Sequence, residues 1–321
     1  LRGWIEDPDQ APPADVLASS LVSQAGIFLA STARLLAMGE RGFDLDALGA
    51  VATAATGHSQ GVMAALLFAE GHTFPQLTRR AAEFAGYFFW QGYRMQESFV
   101  LAAVPPAVRL AAEQAGLGDP SPMAAVAGLT DALLSEALAR FHAANPNLLP
   151  IDVSLDNGYT RKVLSGPPAS LVAFARALAA FRTAELDAFA KGRLGRRPLE
   201  FAWEFVAASA PFHARYMEAG RRALAEDIVR EGIRFSPQAL RLPVLGNDGT
   251  DLRTAADDAA LTAALLRMQH VEPVRWGAVC AALRGSHPDG VTHILEHGPG
   301  DAVAKLTALN CRGYGVHVFP L

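Results

Sequence analysis

The chain has 321 residues, 51% of them hydrophobic and 19% charged, and a formal net charge of -4. That length can bury a substantial core, as one large domain or a large one carrying a smaller one. The weak, dispersed charge argues against a general nucleic-acid or membrane-surface binder. Two cysteines, Cys280 and Cys311, give neither a disulfide framework nor a metal cluster, which fits a reducing cytoplasm.

No apolar run is expected to reach the eighteen or so residues of a membrane span, and no signal peptide is expected. The lead "LRGWIEDPDQAPPAD" opens without Met and reads as the start of a domain cut from something longer. Residues 14–38 then place Val16, Leu17, Leu21, Ile27, Phe28, Leu35 and Leu36 near helical spacing. "ALGAVATAATGHS" predicts a small-residue strand running into a turn, and "QGVMAALLFAEG" a buried helix that stops at Gly71. One helix or a pair covers 74–97, with the aromatic cluster Phe88, Phe89, Trp90 read as core.

The middle of the chain changes character. "MAAVAGL" (123–129) predicts a strand, and "DALLSEALARFHAA" (131–144) a helix ended by Asn145-Pro146. "LPIDVSLDNGY" and "TRKVLSG" predict two strands around the Asn157-Gly158 turn. "SLVAFARALAAFR" predicts a helix capped by Ser170, and "EFAWEFVAAS" a last strand. This β-α-β-β-α-β succession over 122–208 is a ferredoxin-like unit. The flanks, 1–121 and 209–321, return to strand and helix alternation, so the unit reads as an insertion in a larger α/β domain that carries the active site. "KGRLGRRPLE" (191–200) is a basic loop.

Gly57-His58-Ser59-Gln60-Gly61 fits G-x-S-x-G, a sharp turn that lifts a serine out of a sheet. The flanking glycines spare the neighbouring backbone a Cβ clash, and the following helix N-terminus favours a developing oxyanion, with the Gln60 N–H as a donor. Serine needs a base. His58 points away in such a turn and reads as structural, while His72, His142, His287 and His317 read as solvated. His297, in "LEHGPGD", and His213, in "SAPFH" at a strand end, are the two contenders.

Four motifs in this order, "GHSQG" (57–61), "MQE" (95–97), "SAPFH" (209–213) and "MQHVEPVRW...LEHGPGDAVAKL" (268–306), resemble the acyltransferases that load acyl carrier proteins, the malonyl/acetyl transferases of fatty-acid and polyketide synthases. The resemblance covers nearly the whole chain. It implies an α/β-hydrolase-like large subdomain with an inserted ferredoxin-like small subdomain, Ser59 as nucleophile and His213 as base. It also implies a main-chain carbonyl, matched to Gln269, that orients the histidine.

Two departures bear on activity and substrate. The family's N-terminal "GQG", whose glutamine supplies a second oxyanion donor, is absent from the chain; losing one such donor costs about a hundred- to a thousandfold in rate. Malonyl-selective members carry an arginine four residues before "MQE", and that position here is Gln91. A malonate there would hold an unpaired buried charge at a cost of roughly 2–5 kcal/mol. Arg94 could share that helix face if the register slipped.

Gln91, with "GHSQG" and "FFWQGYRMQ", resembles the acetyltransferase domain of type I fatty acid synthases. The resemblance implies acetyl-CoA as substrate and the phosphopantetheine of acyl carrier protein as acceptor, with no bound cofactor and no metal. It also implies the other domains of a synthase as partners. His58 and Asn157 complete the candidate substrate-side set, although turn chemistry alone also accounts for Asn157. Lys191, Arg193, Arg196 and Arg197 read either as a solvated loop or as a contact for coenzyme A phosphates or an acidic carrier protein. A malonyl/palmitoyl transferase, a serine esterase using Asp289 and His297, and a degenerate scaffold domain remain as alternatives.

Overall fold

The computed structural model describes residues 7–71, 73–99 and 104–320. His72 and the first six residues of the lead lie outside the described residues. The chain begins with helices Ala14–Ala18 and Ser20–Glu40. By length and composition Ser20–Glu40 is apolar enough to cross a membrane, with a mean hydropathy of 1.4. That corrects the expectation of no such run.

One face of this helix is buried in the protein, while Leu21, Ile27 and Leu29 stay exposed. Phe28 and Leu35 enter the core beside buried Ser20, Gln24, Ser31 and Thr32, and the helix packs along Phe74–Ser98. The backbone N–H and hydroxyl of Ser20 both meet the Ser209 hydroxyl, at 2.8 and 2.9 Å. Phe28 stacks between Phe84 and Phe88 at centroid separations of 6.0 and 4.6 Å. The two helices touch closely because position 92 is glycine: a Cβ there would lie 2.4 Å from the Ser20 carbonyl oxygen.

The expected strand before the serine is mostly helix. Asp44 caps Leu45–Val51, its Oδ1 accepting from the Ala47 N–H at 2.9 Å. Small residues suit either state, and the cap decides between them. Strand β1 is left with Ala55–Thr56, followed by the nearly all-buried helix Gly61–Ala69. Phe74–Ser98 is one helix, and Pro106–Gln114 is a further helix that the sequence reading did not contain.

Strands β2 (Met123–Ala127), β3 (Asp152–Asp156), β4 (Arg161–Ser165) and β5 (Ala202–Phe205) form an antiparallel sheet in the order β5-β2-β4-β3. Helices Asp131–Ala144 and Pro168–Ala190 bury Leu134, Leu138, Phe141, Leu171 and Phe174 with Ala124 and Leu164. Ser170 is no cap: the helix starts two residues earlier, and the Ser170 hydroxyl donates to the Leu149 carbonyl at 2.8 Å.

Beyond this sheet, β6 (Val244–Leu245) pairs in parallel with β1, and β7 (Val274–Arg275) adds in parallel to β3 as a fifth strand. Strands β8 (His293–Glu296) and β9 (His317–Pro320) form a separate parallel pair. The larger core gathers Met63, Leu66, Phe84, Tyr87 and Phe88 with Leu224, Val244 and Leu265. The whole is an α/β fold, an α/β-hydrolase-like part carrying a ferredoxin-like unit.

Candidate active site

Between Thr56 at the end of β1 and Gly61 at the start of the next helix, the chain reverses in four residues. A Cβ on Gly57 would lie 2.0 Å from the Gly61 carbonyl carbon, so glycine is forced there. Gly61 has open space around its own Cβ position, so only the first glycine of the pattern is sterically required. Ser59 sits at φ +55°, in the left-handed region that a non-glycine residue seldom occupies. Such strain persists where surrounding bonds fix it. The Gln269 side-chain amide donates to the Ser59 carbonyl at 2.9 Å, and the Val62 N–H reaches the same oxygen at 3.2 Å.

Ser59 Oγ lies 2.7 Å from His213 Nε2, although 154 residues separate them in the chain. His213 is buried and also left-handed, at φ +56°. Its Nδ1 is 2.9 Å from the Glu272 carbonyl oxygen. A carbonyl only accepts, so Nδ1 carries the hydrogen and Nε2 is left to take one from serine. The orienting carbonyl therefore belongs to Glu272 and not to Gln269, three residues earlier. Gln269 acts on the other partner, holding the serine turn by its side chain. Burial pushes the His213 pKa down to about 4, opposed by the Glu272 carbonyl and reinforced by the neighbouring His58. The ring is thus neutral at pH 7.

His58 Nε2 is 2.8 Å from Asn157 Oδ1, and its ring meets the edge of Trp276 at 5.2 Å. Burial lowers the His58 pKa, and the Asn157 bond opposes this. The Asn157 carbonyl in turn accepts from Asn310 Nδ2 at 2.9 Å. These residues tie the serine turn to the turn between β3 and β4. Gln60 opens the helix after the serine, and its N–H precedes the first amide used by the turn, Gly61 to the His58 carbonyl at 3.0 Å.

Gln91 is buried in the seam between the two long helices, donating from Nε2 to Gln24 Oε1 at 2.9 Å. Its own Oε1 has no protein partner. Arg94 does not share that environment. Its guanidinium grips buried Asp227 at 2.6 and 3.0 Å, pairs with Glu97 and lies over the Trp90 and Tyr93 rings. Residues three apart sit only about 60° apart around a helix, yet their side chains diverge: Arg94 reaches Asp227 on Glu218–Glu231 and Gln91 reaches Gln24 on Ser20–Glu40. Arg94 is thus engaged by Asp227 and Glu97 and does not share the Gln24 contact of Gln91. In the aromatic cluster, Phe88 is core, but Phe89 is 47% exposed and Trp90 carries Arg230 4.5 Å above its ring.

Two residues escaped the sequence reading. Gln96 Oε1 accepts from the Ser209 hydroxyl at 2.7 Å and from the Ser20 N–H at 3.2 Å, joining "MQE" to "SAPFH". His270 is wholly buried, with its pKa pushed down to about 3 by burial, and its carbonyl accepts the Ala214 N–H next to His213. Adjacency to Gln269 was the available signal. The rival His297 has no protein partner on Nδ1, and Asp289 lies nearer His287, at 3.9 Å. In the basic loop, Lys191 and Arg193 pair with Asp187 and Arg196 with Glu185, which cancels much of its charge.

A strained serine hydrogen-bonded to a neutral, carbonyl-oriented histidine can pass its proton to Nε2 and form an ester. The pair has the geometry that acyl transfer through a serine requires. The family of starter unit:ACP transacylases in aflatoxin biosynthesis matches residues 2–189, more than half of the chain. The chain belongs to that family. The matched segment contains Ser59 and ends before His213.

The fatty acid synthase subunit beta of Saccharomyces cerevisiae is 26% identical over 321 residues, covering 98% of this chain and 15% of that protein. The subunit of Schizosaccharomyces pombe is 32% identical over 270 residues, covering 83% and 12%. The chain therefore spans less than a sixth of the length of these relatives. Among solved structures, the malonyl-CoA:acyl carrier protein transacylase of Xanthomonas oryzae superposes with a TM-score of 0.68 at 23% identity, over 97% of this chain and 79% of that one. A malonyl-transacylase in complex with a type II polyketide synthase acyl-carrier protein gives 0.64 at 21%, over 96% and 80%.

Proposed function

We propose that the protein moves an acetyl group from acetyl-CoA, through an acyl-serine, to the phosphopantetheine thiol of an acyl carrier protein. In this reading it works as the acetyltransferase part of a cytoplasmic fatty acid synthase, beside that synthase's other domains. Residues 1–121 and 209–321 form the large subdomain with the active site, and 122–208 the small one. The observation that carries the proposal is the 2.7 Å contact of Ser59 Oγ with His213 Nε2 in a turn strained at the serine. Family membership and the carrier-protein complex of a structural neighbour support the acceptor.

His213 Nε2 takes the Ser59 proton as Oγ attacks the thioester carbonyl. The tetrahedral oxyanion rests on the Gln60 N–H at the helix N-terminus. The C–S bond breaks, and the coenzyme A thiolate leaves with the proton from His213. The phosphopantetheine thiol then gives its proton to Nε2 and attacks the acetyl-serine, freeing Ser59 in a ping-pong cycle.

The preference for acetyl rests on Gln91. It offers no positive charge for a malonyl carboxylate, and Arg94 is held by Asp227 on another face. Incubation with radiolabelled acetyl-CoA should label Ser59 covalently, and Ser59→Ala should remove the label. Absence of label from wild type, or an equally labelled Ser59→Ala, sinks the scheme. Malonyl-CoA in parallel tests the substrate: Gln91→Arg should move loading toward malonyl.

A further inference from the structure

His58, the residue before the nucleophile, is held from two sides, and both supports lead back to one side chain. The first is Asn157 Oδ1, which accepts from His58 Nε2 at 2.8 Å; the second is the Trp276 ring. Asn157 stands in the turn from β3 to β4, and Trp276 opens the helix Trp276–Arg284. Behind both lies buried Asn310, the last residue of the helix Ala302–Asn310.

Asn310 uses its whole amide. Nδ2 donates to the Asn157 carbonyl at 2.9 Å and to the Leu306 carbonyl, one turn back, at 2.8 Å. Oδ1 sits between two glycines: a Cβ on Gly158 would lie 2.0 Å from it, and one on Gly277 3.6 Å. Gly158 follows Asn157 and Gly277 follows Trp276, so each support of His58 is seated on Asn310 through its next residue. The Asn157 N–H also donates to the Arg161 carbonyl at 3.0 Å, which fixes that backbone on its other side. An apolar side chain would fill this space without the desolvation cost of an amide. The polar choice therefore sets a direction, and the direction leads to the serine. The His58 carbonyl accepts the Gly61 N–H at 3.0 Å across the turn, so a shift of His58 moves the backbone that enters Ser59 at φ +55°. Strain of that kind relaxes once its supports loosen.

We propose that Asn310 is a positioning residue for Ser59. By holding the Asn157–Gly158 turn against Trp276–Gly277, it fixes His58 and through it the strained serine turn. Asn310 itself touches no reacting atom. The contact spans 153 residues and pins the ferredoxin-like unit to the larger part beside the nucleophile.

The test is the reaction of the 321-residue chain with a fluorophosphonate. Ser59 Oγ attacks the phosphorus, fluoride leaves, and His213 Nε2 takes the serine proton. The probe carries no acetyl group or coenzyme A, so it reports the Ser59–His213 pair alone, the one element of the acetyl-transfer reading on which the inference rests. Wild type that takes the probe but not acetyl-CoA sinks the acetyl reading only; wild type inert to the probe sinks both. Asn310→Ala and Asn310→Leu, the second refilling the volume, should each lower the maximal phosphonylation rate about tenfold. The half-saturating probe concentration should stay within about twofold, and a contact that only joined the two parts would lower the unfolding midpoint without changing that rate. Asn157→Ala keeps the carbonyl that Asn310 holds but loses the bond to His58, and should cause a similar loss. Because the two act in series, the double variant Asn157→Ala/Asn310→Ala should be at most about threefold slower than either single one. The proposal is overturned if a folded Asn310 variant reacts within about twofold of wild type, or if the two losses multiply to about a hundredfold. Failure of both Asn310 variants to fold also overturns it, since the contact would then support the fold and not the serine turn.

Discussion

The sheet around Leu164 and the two short parallel strand pairs are built on opposite plans. In the first, β2 meets β4 over five residue pairs and β5 over four, and helices close one apolar face over a shared core. In the second, β1 meets β6 over two pairs, and β8 with β9 stands apart. The Ser59–His213 pair follows the shorter strand, β1. What holds Ser59 there is a set of single contacts: the Gly57–Gly61 approach, the Gln269 amide on the Ser59 carbonyl, and Asn157 on His58. The serine turn should therefore fail through individual bonds, and the small sheet through loss of packing.

The strongest way to break this contrast is Gly57→Ala. A methyl 2.0 Å from backbone has no flexible neighbour to displace, so the turn must open, with a stability loss of up to about 5 kcal/mol and loss of acyl loading. Gly61→Ala, in open space, should be neutral or stabilise by about 0.5–1 kcal/mol. Thermal unfolding of both variants checks this, and equal damage would show that the turn does not depend on that contact. Next in size is Leu164→Ala, which leaves a cavity under the small sheet and should cost about 2–5 kcal/mol. Leu295→Ala on β8, at 46% exposure, should cost under about 1 kcal/mol in the same denaturant titration.

The same contrast explains what the sequence made legible. The small unit sets short strands and helices between clear turns, so its β-α-β-β-α-β order could be read directly, as could the serine turn, while His213 was separated from His297 only by the resemblance. Leu45–Val51 could not, because alanine and glycine suit strand and helix alike and only the Asp44 side chain separates them. The Arg94–Asp227 pair joins residues 133 apart, and no local spacing encodes it. The fifth strand, β7, comes from 109 residues beyond β4 and spans only Val274–Arg275, too short to leave a pattern.

Acid should expose the thin region first. His213 and His270 are buried with pKa values near 4 and 3, below the ordinary 6.5. The unfolded chain binds these protons more readily, so their contribution is fully present above about pH 6.5 and is lost as pH falls toward the folded values. His213 alone accounts for about 3 kcal/mol across that window. Stability measured from pH 7 to 4 should fall accordingly, and His270→Gln should flatten the curve. Acyl loading by surviving folded protein should keep an acid limb near pH 4; a limb near 6.5 would mean that His213 is more solvated than this packing allows. Smaller again is Arg94→Ala, which strips the main partner from buried Asp227 while Arg230 remains. It should cost about 1–3 kcal/mol and leave the acetyl-to-malonyl ratio unchanged; a changed ratio would return Arg94 to the substrate side.

The smallest effect is also the most discriminating between side-chain and backbone support. His213 is oriented by the Glu272 carbonyl, and the Glu272 side chain points elsewhere, to Arg267 at 3.0 Å on the surface. Such exposed pairs contribute about 0–1 kcal/mol. Glu272→Ala therefore keeps the orienting atom and should leave acyl loading within about twofold of wild type. Gln269→Ala, three residues away, removes a side-chain amide from the Ser59 carbonyl and leaves a strained serine less tightly fixed. One lost hydrogen bond of about 1.4 kcal/mol predicts about a tenfold drop in kcat/KM. If Glu272→Ala proved the more damaging, a carboxylate rather than a main-chain carbonyl would be steering the histidine. The site would then resemble an acid-supported triad instead of the serine–histidine–carbonyl arrangement that the geometry describes.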